Sequence, residues 1–287
     1  MNIKGLDKLR EKLPDYAGKR IAILPIRGIL AGVLAYLFLV ILDIVPRVFN
    51  DITLLALFEP LLPLIGNIFI AGLGLWLIWG LWNKRDQMRE LHGNLAYQKM
   101  IPRGFIGVCM IPPLVFHAFT SIRSLPPVPP VNSLTIQLSK SLLSFTGIPV
   151  EIDVWFRIIT SGVLIIIGAL AVRSAILTFG LDYMTVVYLY FPEESEIQEN
   201  EIYSVIRHPA YLAGTVFGLA GFFSRFSVYS ILMFFTVYLV FKLQIWKEEK
   251  ELVERFGEGY DEYRRKVPAL LVKPSKLGAF FRFLRPT

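Results

Sequence analysis

Apolar residues fill this chain in long blocks separated by short polar stretches, and several blocks exceed the length of a core helix in a soluble domain. A membrane-crossing helix needs about 20 mostly apolar residues. On that measure the first block predicts a span over Ile26–Val45. The second predicts one within Leu54–Trp82, where Pro60 and Pro63 set off a short or interfacial piece at its start. A third, short and kinked, covers Gly104–Phe119 and contains Pro112 and Pro113. Trp155–Leu177, Tyr211–Phe223 and Phe226–Trp246 follow, and Tyr211–Phe223 needs residues from both flanks to reach across. The pattern predicts an all-α, polytopic integral membrane protein with about six transmembrane helices.

The polar stretches orient it. Lys4, Lys8, Arg10, Lys12, Lys19, Arg20 and Arg27 precede or open the first span; Lys84, Arg85, Arg89, Lys99 and Arg103 follow the second; ten more basic residues follow the last. The alternate loops hold few: Arg47, then Arg123, Lys140 and Arg157, then Arg225. Lys and Arg favour the cytoplasmic side, so both termini are expected there, with Gly180–Tyr203 and its acidic run on the same side. Lys4–Arg20 reads as an amphipathic lead-in on the membrane surface and not as a signal peptide. On the outer side, Pro126-Pro127-Val128-Pro129-Pro130 predicts an extended connection, and Leu134–Phe145 a short helix at the outer interface.

Composition agrees. Of 287 residues, 54% are hydrophobic and 18% charged, with a mean hydropathy of +0.55. A soluble domain carries about 25% charged residues. The net charge of +7 follows from the basic flanks, so it points to the lipid bilayer as partner and not to nucleic acid. One cysteine, Cys109, and three separated histidines offer no disulfide and no metal-ligand cluster.

Chemistry-bearing residues crowd the membrane boundary after Trp155. Arg173 lies inside a span, at a cost of roughly 2.5–3.5 kcal/mol unless it snorkels or binds something. Gly214 and Gly218 form a GxxxG pair suited to close helix approach. Arg207-His208-Pro209 stands just before a span: Pro209 suits the first turn of a helix and keeps His208 extended, so Arg207 and the helix N-terminus can meet an anion. After the next span come Glu248 and Glu249, on the same side as Arg207. Leu252, Phe256, Tyr260 and Tyr263 then recur at helical spacing, predicting a C-terminal lid helix on the cytoplasmic side with its aromatics inward.

These residues resemble the isoprenylcysteine carboxyl methyltransferase family and its phospholipid methyltransferase relatives. The shared pattern is Tyr203, Arg207-His208-Pro209 and Tyr211, a membrane hairpin, Glu248-Glu249 and Leu252, Phe256-Gly257, Tyr260 and Tyr263, then Val267-Pro268. The resemblance covers about 155–270 and implies a methyltransferase unit over 155–272, between a membrane extension over 1–154 and a basic tail over 273–287. It implies S-adenosylmethionine as cofactor, held by Tyr203, His208, Pro209, Ala210, Tyr211 and Glu248, and a lipophilic methyl acceptor, isoprenoid or phospholipid-like, entering from the bilayer. Arg207 is expected to orient an anionic group and Glu249 to act with it in catalysis, with His208 or Glu249 as base for an acceptor that must lose a proton.

Two positions depart from the pattern. Glu201 stands where the family usually has glycine. Gln244 stands where the prenylcysteine enzymes resemble each other in having arginine; Gln244 and Lys242 are accordingly expected on the acceptor side. Two other readings share the C-terminal pattern: an NADPH-dependent sterol-type membrane reductase, and a non-catalytic lipid-binding membrane protein.

Overall fold

A computed structural model describes residues 4–124 and 128–285, apart from the side chains of 121–124 and 194. Pro126 and Pro127 of the proline-rich connection lie outside the described residues. Among the described residues the regular structure is entirely helical. The elements that place the site are α1 (Ile23–Val48), α2 (Leu62–Asn83), α3 (Ala96–Cys109), α4 (Pro112–Ser124), α5 (Val150–Phe179), α6 (Pro209–Arg225), α7 (Val228–Phe256) and α8 (Glu258–Lys266).

Five segments are long and apolar enough to cross a membrane: Gly18–Val48, Leu62–Asn83, Arg85–Thr120, Val150–Phe179 and Val228–Phe256. The remaining expected span is α6. Its 17 residues give a helix of about 25 Å, short of the hydrocarbon core of about 30 Å. The prolines act as expected. Thr53–Phe58 forms a separate short helix ahead of Pro60, and the third segment breaks between α3 and α4, where Pro112 and Pro113 open the second half. Ser133–Ser139 is helical and Leu142–Phe145 is a 3-10 turn.

Outward faces are apolar: Ile26, Ile29 and Leu30 on α1 and Ile158 and Ile159 on α5 are all more than half exposed, which suits contact with lipid. Inside, α6 packs along α5 and against α7, and α7 packs against α2. Leu39, Ile70, Leu75 and Leu114 share one buried cluster with Val237 and Val240 of α7, so the N-terminal spans and the last span build a common core. The glycine pair of α6 is used for this packing. A Cβ at Gly214 would clash with the Phe241 ring, and one at Gly218 would press on Val237.

Charge is also buried at the end of the bundle away from the termini. His117 bonds to Asp43 at 2.8 Å through Nε2, and Asn67 Nδ2 donates to the other ring nitrogen at 3.3 Å and to the Pro63 carbonyl at 2.6 Å. Arg47 Nε donates to Glu59 at 3.1 Å, and the other Glu59 oxygen accepts the N–H groups of Val131 and Asn132. Asp43 Oδ1 has no hydrogen-bond partner among the described residues.

The lead-in is not a helix lying free on a surface. Leu6–Glu11 is helical and short turns follow. Leu9 and Leu13 are buried against Tyr97, Leu189 and Tyr190, the Leu181 N–H donates to the Lys4 carbonyl at 2.8 Å, and Lys8 pairs with Asp182 at 3.7 Å. The apolar stripe that predicts membrane contact is satisfied by protein.

Candidate functional site

The site lies where the end of α5, the start of α6 and the last turns of α7 come near one another. Pro209 opens α6 and His208 precedes it outside the helical region, φ −124° and ψ 67°, in keeping with the bias of a residue before proline away from helix. Two backbone hydrogen bonds fix this junction: the N–H of Arg207 donates to the Pro268 carbonyl at 3.0 Å and that of His208 to the Ala269 carbonyl at 3.2 Å. The polypeptide after the lid is therefore stitched to the start of α6. Across from it, α7 continues as one helix through Glu248 and Glu249 to Phe256. There Gly257, at φ +56°, makes a turn that a side chain would strain, and α8 begins. The expected lid is thus the last turns of α7 plus α8.

Between these elements is a cavity that opens to solvent. Aromatic rings form much of its wall. Phe179 stacks on Tyr183 at 4.3 Å and lies 4.9 Å from Tyr203, and Tyr183 stacks on Tyr188 at 6.0 Å. His208 stacks on Tyr211 at 5.5 Å, and Tyr211 on Phe241 at 5.7 Å. Tyr260 and Tyr263 of α8 meet edge to face at 5.8 Å, and the Tyr263 hydroxyl donates to the Tyr203 carbonyl at 2.7 Å.

Glu248 is held from both sides. The Tyr188 hydroxyl donates to Oε1 at 2.8 Å and the Tyr211 hydroxyl to Oε2 at 2.7 Å. Glu249, one residue on, turns toward the junction instead. Its Oε1 accepts from Arg207 Nη2 at 2.5 Å and Nε at 2.8 Å, and lies 3.1 Å from His208 Nε2. Arg207 Nη1 donates to the Arg264 carbonyl at 2.8 Å and to the Val267 carbonyl. The guanidinium therefore ties α7 to the C-terminal end of α8. Burial raises the Tyr188 phenol well above its ordinary range, and the nearby Glu248 carboxylate adds to the shift. Burial likewise raises Tyr203, Tyr260 and Tyr263.

The structure gathers Tyr203, Arg207, His208, Pro209, Ala210, Tyr211 and Glu248 on the cavity wall, with Glu249 behind them. Gln244 sits one helical turn before Glu248 on the same face of α7, is buried, and accepts from Trp79 Nε1 of α2 at 3.1 Å. Lys242 lies on the exposed outer face of α7, because six residues of helix turn it away from Glu248. Arg173 is half-buried on α5. Sequence reasoning passed over Phe179, Tyr183 and Tyr188. The available signal was the density of aromatics in a stretch otherwise read as an acidic loop.

Glu201 adopts φ +50°. Left-handed backbone suits glycine, which gives the family's usual glycine there a conformational reason. Here the strain is accompanied by a hydrogen bond from the Thr178 hydroxyl to Glu201 at 2.7 Å.

Comparison with known proteins places this site in a recognised context. The phospholipid methyltransferase family matches at residues 156–259. A probable protein-S-isoprenylcysteine O-methyltransferase of Oryza sativa subsp. indica is 26% identical over 116 residues, covering 40% of this chain and 61% of that protein. A methanethiol S-methyltransferase of Crocosphaera subtropica is 33% identical over 100 residues, covering 32% and 37%. A protein-S-isoprenylcysteine O-methyltransferase of Schizosaccharomyces pombe is 29% identical over 104 residues, covering 33% and 41%. The chain thus spans less than two thirds of the length of each of these relatives. No solved structure matches it significantly. It is over residues 156–259 that this membrane protein is similar to the phospholipid methyltransferase family.

Proposed function

We propose that this protein is an S-adenosylmethionine-dependent methyltransferase acting on a lipophilic acceptor at the cytoplasmic membrane face, with both termini on that side. The observation that carries the reading is Glu248, clasped by the Tyr188 and Tyr211 hydroxyls in an aromatic-walled cavity within the matched segment. S-adenosylmethionine, when bound, supplies a methyl group on a positively charged sulfur.

The residues present fit such a group. The cavity is lined by both aromatic rings and a carboxylate. The faces of Tyr203, Tyr211 and Tyr260 attract a cation, and Glu248 adds a fixed negative charge. Tyr203, His208, Pro209, Ala210, Tyr211 and Glu248 are assigned to holding the donor. Arg207 and Glu249 are assigned to holding the lid against the α6 junction, since their polar atoms are spent on each other, on His208 and on the α8 carbonyls.

Positioning supplies much of the rate when the donor is already activated. An acceptor that must lose a proton meets His208. The Glu249 carboxylate can only accept, so His208 Nε2 carries the hydrogen toward it and leaves Nδ1 of the neutral ring free to take a proton. The relatives' names join a carboxyl-bearing isoprenylcysteine acceptor and a small thiol, and Gln244, a neutral amide, suits a neutral acceptor head.

Calorimetry with S-adenosylmethionine on the purified protein tests the donor. Saturable binding is expected for the wild type, with Glu248→Ala abolishing it; no wild-type binding, or unchanged binding by the variant, rejects the proposal.

A further inference from the structure

Leu277–Leu284 forms a further helix, α9, beyond the segment that matches the family. One apolar face of it is spent inside the protein. Phe280 and Leu284, one turn apart, are buried in a cluster with Ile202, Tyr203 and Ile206. The helix packs against both α5 and the turn Glu201–Ser204 that carries Tyr203. A second apolar pair, Leu277 and Phe281, is also one turn apart and is exposed.

The charge around that exposed pair has one sign. From Arg264 to Thr287 the sequence holds seven basic residues and no acidic one. The side chains of Lys276, Arg282 and Arg285 are exposed and, among the described residues, meet no hydrogen-bond or ion-pair partner. Arg173 of α5, whose cost within a span calls for a partner, has none among the described residues either. It stands two residues past Ala171 of the same buried cluster. An apolar edge bordered by cations fits a surface that is apolar within and anionic without. Leu277 and Phe281 would enter the acyl boundary while the cations meet headgroup phosphates and carboxylates. The neighbouring α5 exposes Ile166 and Leu177, so the phase that covers this face is the one that already surrounds the bundle.

We propose that α9 is an interfacial helix seated on anionic lipid, and that its seating steadies the Tyr203 side of the cavity. Two connections transmit the effect. Phe280 and Leu284 share the buried cluster of Tyr203. The strand of chain leading to α9 starts at Pro268 and Ala269, whose carbonyls hold the Arg207 and His208 N–H groups at 3.0 and 3.2 Å. Anionic lipid therefore tightens donor binding without touching the donor. This second half of the proposal rests on the methyl-donor reading of the cavity; the lipid seat does not.

The full chain is placed singly in nanodiscs of phosphatidylcholine alone or of equal parts phosphatidylcholine and phosphatidylserine. Hydrogen exchange is followed over 201–206 and 273–285, and S-adenosylmethionine affinity by calorimetry. In the anionic discs both segments are expected to exchange more slowly and affinity to rise about three-fold or more, a difference that shrinks as salt is raised. The triple variant Lys276→Gln, Arg282→Gln, Arg285→Gln is expected to melt as wild type and to lose the difference between the lipids. Equal exchange over 273–285 in the two lipids overturns the proposal. Protection that appears only when two copies share a disc assigns the exposed face to a second copy and overturns it too. Lipid-dependent exchange with unchanged affinity strikes the coupling and leaves the donor reading standing. Lipid-dependent exchange with no S-adenosylmethionine binding in either disc rejects the donor reading and supports the lipid seat alone.

Discussion

The Arg207 guanidinium meets the Glu249 carboxylate at 2.5 Å across 42 residues of sequence, and the same fork holds the Arg264 and Val267 carbonyls. One side chain thus locks the start of α6 to α7 and to the end of the lid. Both partners are largely buried, at 6% and 13% side-chain exposure. Removing one partner of a buried pair strands the other, at about 3–5 kcal/mol. Arg207→Ala is expected to release α8, seen as faster hydrogen exchange across 258–266 and as weaker S-adenosylmethionine binding. Arg207→Lys, with a single ammonium in place of the fork, falls between the two.

Glu201 combines a strained backbone with a useful side chain. A left-handed non-glycine residue costs about 1–2 kcal/mol, and the Thr178 bond returns about 1 kcal/mol. Glu201→Gly is therefore expected to leave thermal stability nearly unchanged. Glu201→Ala keeps the strain and loses the bond, so its melting temperature drops below that of both.

The Asp43–His117 pair is 1–2% exposed. Its Asn67 neighbour is oriented by the Pro63 carbonyl, so Asn67 Nδ2 donates to the histidine and leaves Nε2–H for Asp43. His117→Leu abandons the carboxylate and is expected to destabilise by about 3–5 kcal/mol. The double variant with Asp43→Leu also removes the stranded carboxylate and is expected to melt above His117→Leu alone. Thermal unfolding in detergent separates the two outcomes.

Four tyrosines at the site, Tyr188, Tyr203, Tyr260 and Tyr263, are raised by burial above the ordinary phenol value, which lies near 10. Below that value folded and unfolded states bind the same phenolic protons, and stability from this source is level. As pH rises past about 10, the unfolded chain releases protons that the fold retains, so stability falls. Melting temperatures from pH 8 to 11 are expected to hold and then decline at the alkaline end. Phenolate absorbance from these rings is expected to appear only with unfolding.

Long apolar blocks made the spans legible, and the prolines marked where two of them break. The pairing of Arg207 with the Glu248-Glu249 segment was legible too, because both sit at one end of a hairpin whose length brings them together. Which glutamate does what was not: a side chain's direction on α7 depends on helical phase, and only the fold shows Glu248 turned to the tyrosines and Glu249 to the arginine. Tyr188 and Trp79 were hidden for a further reason. Their partners lie 60 and 165 residues away in the chain, and neither residue type carries a local pattern announcing such a bond. Lys242 shows the converse, a charge close in sequence that helical phase puts on the opposite side.

The docking of the lead-in onto the Leu181 region also sets an order of assembly. Lys4 meets the Thr178 carbonyl across 174 residues. At synthesis rates of about 5–20 residues per second, the lead-in waits on the order of ten seconds or more before its partner emerges. During that interval Leu9 and Leu13 lack the part of their cover that Leu189 and Tyr190 supply, and the bilayer is the nearest apolar phase. A segment made well before its partner is then among the last to settle. The wall that carries Tyr183 and Tyr188 is braced only when the two ends of this long interval have met.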